Sequence, residues 1–250
     1  MQTRIELITP VLSQGVGGVD DLAALARPDL TVSQVFIERG PASIESDFDD
    51  ALCVPDVIRK AIEAERDGAS AIVIDCMGDP GLHACREVVA IPVVGPCQAT
   101  LHAAAMLGHR FGYVSVMNRL RPVIGRMVAE YGLREAYASF RAVDIPVLQL
   151  GDDRERLVHA LTKQALAAVL EDGAEVIVLG CTGFIGCAAA IREGLLESGV
   201  DVPVIDPIPL AVHTADALVR AGISHSKRTY PRPSAKRIVG FEFPEFVPGG

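Results

Sequence analysis

Two cysteines stand in matching surroundings. Cys76 follows the apolar run Ala71-Ile72-Val73-Ile74 and precedes Gly78-Asp79-Pro80-Gly81. Cys181 follows Val176-Ile177-Val178-Leu179 and Gly180, and precedes Thr182-Gly183. Each run reads as a buried strand, and what comes after it as a tight turn and a helix start. Pro80 suits the first helical turn. Each thiol is thus expected at the carboxyl end of a strand, where open α/β sheets bind ligands. It also faces a helix N-terminus, whose partial positive charge favours thiolate. With a reference pKa of about 8.5, lowered at such a place, a thiol is usable for acid–base work near neutral pH.

The match extends beyond the thiols. Each cysteine lies 9 residues after an Asp-Gly-Ala, at Asp67 and at Asp172. Ile91-Pro92-Val93-Val94-Gly95-Pro96 matches Val202-Pro203-Val204-Ile205-Asp206-Pro207, and His102 matches His213. The offset is 105 residues at the cysteines and 111 at the histidines, so an insertion is expected near Glu193 to Val200. Two copies of one strand–thiol–helix unit imply two similar lobes, each bringing one cysteine to a shared cleft.

Composition narrows the class. A chain of 250 residues makes one large domain or two small ones, and at 50% hydrophobic it can fill a core. A net charge of −9 with dispersed Lys and Arg argues against nucleic acid and anionic membrane as partners. No apolar run approaches the ~18 residues of a membrane span, and the first residues lack a signal-peptide core. Six cysteines without an export signal imply reduced thiols and a cytoplasmic location. No pair is spaced C-x-x-C, which speaks against a zinc ribbon. Cys53, Cys85, Cys97 and Cys187 read as small buried apolar residues.

In chain order, strands are expected at Ile5 to Thr9, Val32 to Ile37, the run before Cys76, Val93-Val94, Phe111 to Val116, Ile145 to Leu150, the run before Cys181, and Val204-Ile205. Helices are expected at Asp20 to Ala26, Asp49 to Asp67, Pro80 to Val89, Gln98 to Leu107, Pro122 to Tyr131, Arg154 to Glu171, after Gly183, and at Leu210 to Arg220. This alternation predicts an α/β fold of parallel sheets covered by helices on both faces. Beyond Gly222 the chain reads as an extended arm, with one strand at Ile238 to Phe243.

Finer motifs carry a resemblance. They are Gly40-Pro41-Ala42-Ser43-Ile44-Glu45-Ser46, Cys76 with Gly78-Asp79-Pro80-Gly81-Leu82, Ala105-Met106-Leu107-Gly108-His109-Arg110-Phe111, Leu179-Gly180-Cys181, and Ser226-Lys227-Arg228. With the paired cysteines, these resemble the aspartate/glutamate racemase superfamily, and within it the hydantoin racemase branch. The similarity runs from about Val32 to Tyr230. The chain departs from the branch at Thr9-Pro10-Val11-Leu12, where many relatives have an Asn-rich loop, and at Cys181-Thr182-Gly183-Phe184.

The resemblance implies two pseudo-symmetric α/β lobes with the active site in the cleft between them. Residues 1–96 plus 208–250 would form the lobe carrying Cys76, and residues 97–207 the lobe carrying Cys181. It implies a cofactor-independent, metal-free racemase in which one cysteine as thiolate takes a proton from carbon and the other as thiol donates to the opposite face. The substrate implied is a small molecule, a 5-substituted hydantoin or the related allantoin, and a homo-oligomer is expected. Backbone N–H groups of Met77-Gly78 and Thr182-Gly183 are candidates to stabilise the enolate. Phe184, Ser43 and Ile44 are candidates to border the 5-substituent. Asp79 either tunes Cys76 or caps the helix after it; Thr182 either binds substrate or caps; Asn118 either contacts substrate or forms a turn. His102 and His213 are expected in a core or interface role. Arg39 and Arg119 are the cations nearest strand ends, and a carboxylate substrate would need one of them. An amino-acid racemase is the alternative enzyme. A non-catalytic binding protein of the same fold is the alternative class, though matched thiols have no evident use there.

Overall fold

The computed structural model describes residues 2–12 and 22–244. Its strands are β1 (Thr3–Thr9), β2 (Leu30–Phe36), β3 (Ala71–Ile74), β4 (Val93–Val94), β5 (Phe111–Ser115), β6 (Tyr137–Ala142), β7 (Val176–Leu179) and β8 (Val204–Ile205). They form two four-stranded sheets, ordered β2-β1-β3-β4 and β6-β5-β7-β8. Every pairing within them is parallel, and the two orders are the same. The cysteine strands β3 and β7 are buried at all four positions, as an unbroken apolar run between two helical layers requires.

The helices are α1 (Asp47–Arg66), α2 (Leu82–Val88), α3 (Pro96–Leu107), α4 (Arg121–Glu130), α5 (Arg154–Leu170), α6 (Ala188–Glu197) and α7 (Pro207–Arg220). On one face of the first sheet, Cys53, Val57 and Ala61 of α1 and Leu82 and Cys85 of α2 pack against Ile8, Ile72 and Ile74. On the second sheet, Leu157 and Leu161 of α5 and Ile191 and Leu195 of α6 pack against Val114, Ile177 and Leu179. Each Val, Leu or Ile among these, fully buried, contributes roughly 1.5–3 kcal/mol.

The remaining faces are covered crosswise. Helix α3 follows the first sheet's last strand but packs Cys97, Leu101 and Ala104 on Phe111, Tyr113, Val176 and Val178 of the second sheet. Helix α7 follows the second sheet's last strand but packs Ile208, Ala211, Val212 and Ala215 on Ile5, Leu7 and Val73 of the first. The two helices also pack on each other. This exchange brings the carboxyl ends of β3 and β7 to one cleft. The expected insertion lies where α6 runs for 10 residues against 7 in α2.

Three expectations need correction. Ile145 to Leu150 is not a strand: Val147–Gln149 forms a 3-10 turn, and the sheet's edge is the unanticipated β6. Pro146, which cannot donate to a ladder, stands at the start of that turn. No strand occurs at Ile238 to Phe243; Ile238, Val239 and Phe241 are exposed there, and only Phe243 packs, against the α1 cluster. His102 and His213 are exposed, which removes the core half of their expected core-or-interface role. The expected helix at Asp20 to Ala26 begins outside the described residues. The arm itself is tied down. Lys227 Nζ donates to the carbonyls of Arg86 (2.6 Å) and Val89 (2.6 Å), at the C-terminal end of α2. The Val93 N–H donates to His225 Nε2 at 2.7 Å.

Candidate active site

Each cysteine lies two residues beyond its strand, so the same step out of two equivalent strands delivers two thiols. Both line one cavity between the sheets, open to solvent at its mouth. Cys76 and Cys181 are partly exposed, whereas Cys53, Cys85, Cys97 and Cys187 are buried. One wall comes from the first lobe, through Thr9, Pro10, Ile44, Ser46, Asp50, Asp75, Met77 and Gly78. The other comes from the second, through Tyr113, Val116, Leu120, Val123, Ile124, Val147, Gly180 and Thr182. Among the described residues no Lys, Arg or His lines it, and residues 13–21 contain none in sequence.

The electrostatics differ from the expectation of activated thiols. Burial pushes the Cys181 thiol up to about 12, opposed by the Gly183 N–H, and the Asp75 charge adds to the rise. Burial likewise raises Cys76, opposed by the Gly78 N–H, which points at its sulfur from 3.4 Å. The expected helix N-terminus is not behind Cys76. A turn intervenes, Gly81 takes a left-handed conformation, and α2 begins only at Leu82. At each sulfur desolvation outweighs the single N–H, so burial favours the thiol over the thiolate.

Two carboxyl groups join them. Asp75 precedes Cys76, accepts from Thr9 Oγ1 (2.8 Å) and Gln34 Nε2 (3.4 Å), and is raised by burial to about 6. Its carbonyl accepts from Thr182 Oγ1 at 3.3 Å, a bond from one lobe to the other. Asp50, on α1, is raised by burial to about 6 and adds to the rise at Cys76. Neither was singled out in sequence. Asp75 had a readable signal, an acid directly after a four-residue apolar run; Asp50 had only its place within four residues of Ser46.

Of the expected substrate-binding residues, Ile44, Met77, Gly78 and Thr182 line the cavity with the thiols. Gly183 stands behind Cys181 through its N–H. The others go elsewhere. Phe184 is fully buried in the second-lobe core and is not part of the cavity lining. The 3-10 turn at Thr182–Phe184 aims it inward. Asn118 is exposed and pairs with Arg121 on the outer surface. Ser43 is outside the lining. Arg39 and Arg119 are exposed and do not reach the cavity.

Asp79 caps, but not the helix directly after it. Its carboxylate accepts from the Cys97 N–H (2.9 Å), the Gln98 N–H (2.8 Å) and Tyr131 Oη (2.7 Å), so it caps α3 from a distance. A side chain at Gly95 would collide with that carboxylate, since a Cβ there lies 2.5 Å from Asp79 Cγ. The equivalent position in the other lobe, Asp206, caps α7 with its own carboxylate.

Comparison with known proteins agrees with this architecture. The family profile described as Asp/Glu/Hydantoin racemase matches residues 19–215. The chain is 41% identical over 201 residues to a hydantoin racemase of Rhizobium meliloti, covering 80% of this chain and 81% of that one. It is 37% identical over 240 residues to a hydantoin racemase of Pseudomonas sp. (strain NS671), covering 95% and 94%. Among solved structures it resembles allantoin racemase from Klebsiella pneumoniae with a TM-score of 0.87 and 32% identity, over 96% of this chain and 97% of that one. With two equivalent parallel sheets, one cysteine from each at a common cleft, and this extent of similarity, the chain belongs to the Asp/Glu/hydantoin racemase family, and the relatives named here are racemases and hence isomerases.

Proposed function

We propose that this protein is a cofactor-independent racemase that inverts C5 of a 5-substituted hydantoin or a related cyclic ureide such as allantoin, with Cys76 and Cys181 as its acid–base pair. The observation that carries the reading is the selective exposure of these two thiols, one from each lobe, in a single cavity. One sulfur as thiolate removes the C5 proton. The electron pair passes into the adjacent carbonyl as an enolate, and the other thiol returns a proton to the opposite face. The product is the mirror image, and the two sulfurs have exchanged protonation states. The Gly78 and Gly183 N–H groups stabilise whichever sulfur is anionic, so the enolate oxygen takes its donors from the Met77 or Thr182 N–H.

A free amino acid as substrate is disfavoured by the lining. An α-carboxylate needs a cationic partner, and among the described residues the cavity offers carboxyl groups instead. Relatives named as hydantoin and allantoin racemases support the same substrate class.

The test uses Cys76→Ser and Cys181→Ser. Each abolishes racemisation, while each still exchanges the C5 hydrogen with solvent deuterium from one enantiomer and not the other. Normal racemisation by both variants would sink the two-thiol reading. A chiral-chromatography screen over hydantoins, allantoin, aspartate and glutamate distinguishes the substrate classes.

A further inference from the structure

We propose that Asp50 is the specificity residue of the cavity: its carboxylate accepts a hydrogen bond from a ring N–H of the substrate and turns away molecules that bring a carboxylate of their own. This rests on the cyclic-ureide reading and deepens it.

Helix α1 opens with three acidic residues, Asp47, Asp49 and Asp50. Acids in a first turn ordinarily serve the helix dipole, and two of these have visible structural work. Asp49 Oδ2 accepts from Ser46 Oγ at 2.7 Å and from the Glu45 N–H at 3.1 Å, while Ser46 Oγ accepts from the Asp49 N–H. That reciprocal cap fixes the start of the helix. Asp47 pairs with Arg126 at 2.6 Å. Asp50 does neither. Among the described residues its carboxylate has no hydrogen-bond donor and no cation, and it faces the cavity.

Its position is specific. A Cβ on Gly78 would lie 3.0 Å from Asp50 Oδ1 and 3.6 Å from the Cys76 sulfur. Asp50 therefore stands beside the thiol, across the one residue that has no side chain to separate them. Burial and the neighbouring charges of Asp47 and Asp79 oppose its ionisation. Asp50 is partly buried and open to the cavity, so a ligand N–H can take the place of solvent at its oxygens. A carboxylate only accepts, so the complementary group is a donor close to the reacting carbon, and a cyclic ureide carries N–H groups in its ring. A free carboxylate would meet Asp50 with no cation nearby to screen the repulsion.

The test compares wild type, Asp50→Ala and Asp50→Asn on a 5-alkyl hydantoin and on its N1-methyl and N3-methyl forms. On the parent hydantoin, Asp50→Ala lowers kcat/KM by about 10- to 100-fold, the range for a hydrogen bond to a charged group, mostly through KM. Asp50→Asn, which keeps one acceptor oxygen, loses less. For one of the N-methyl forms the wild type shows a comparable loss, and Asp50→Ala adds nothing further. That non-additivity separates a direct bond from a general loosening of the site. Equal losses on all three substrates, or no loss on the parent, overturn the proposal while leaving the substrate class intact. Wild-type protein inactive on every hydantoin and on allantoin overturns the substrate class, and the proposal with it.

Discussion

A thiol among apolar side chains and carboxyl groups is a reluctant acid, and this cavity holds two. Burial is the largest cause at both, and Asp75 adds to the rise at Cys181 as Asp50 does at Cys76. Among the described residues one backbone N–H opposes it at each sulfur. The free protein therefore carries little thiolate near neutrality, and that fraction grows about tenfold per pH unit below the thiol pKa. Because kcat/KM reports the free enzyme, it is expected to climb by about that factor per unit from pH 7 to 9. A pH–rate profile that levels off below about pH 7.5 would show the thiolate forming more easily than this environment allows. The thiols themselves were legible in the sequence, because a repeat marks the same chemistry twice. Their carboxyl neighbours were not. Asp50 reaches the cavity only through a helix-cap geometry, and Phe184 was misread because a short turn gives no periodicity from which to tell inside from outside.

Among the elements, the join between the Cys76 turn and α3 is the one most open to test. Asp79 has a left-handed backbone with φ 48° and satisfies two N–H groups at the start of a helix lying on the other sheet. Removing its side chain leaves those groups and the Tyr131 hydroxyl without their acceptor. Asp79→Ala is expected to cost about 2 kcal/mol in urea unfolding, the upper range for a lost cap. Asp79→Asn should cost less, since Asn tolerates the left-handed region and keeps an acceptor oxygen. Equal losses for the two variants would mean that the carboxylate's charge, which both variants lack, matters more than the acceptor oxygen that Asn keeps. The cap could not be read from sequence, because its partners lie 18 and 19 residues away on another lobe. The strand errors have a similar origin. Tyr137–Ala142 is an edge strand in which only Phe140 is buried, so its apolar pattern is faint. The stronger apolar run after it is broken by Pro146 and serves the cavity wall through Val147.

On the proposed two-thiol reading the lobes must stay registered, because each would supply one sulfur of the pair. Crosswise packing of α3 and α7 holds the back of the cleft. At the front, Glu45 Oε1 accepts the Val147 N–H at 2.8 Å, joining the loop that carries Ile44 to the opposite wall. The nearby Asp47–Arg126 pair also bridges the lobes, but both side chains are about two-thirds exposed or close to it, at 66% and 60%. Exposed pairs contribute on the order of 0–1 kcal/mol, so Asp47→Asn should leave stability nearly unchanged. Glu45 is different, since its bond is charge-assisted and half-buried at the edge of the cavity. Glu45→Ala is expected to raise KM about tenfold with a smaller effect on kcat, because the walls close less firmly on substrate. Glu45→Gln keeps an acceptor and should hold KM near wild type. It should also move the rising limb of the pH–rate profile to lower pH, since the Glu45 charge is among the causes that raise Cys181. Kinetics in which Gln and Ala behave alike would mean that charge, and not the bond across the cleft, is what Glu45 supplies.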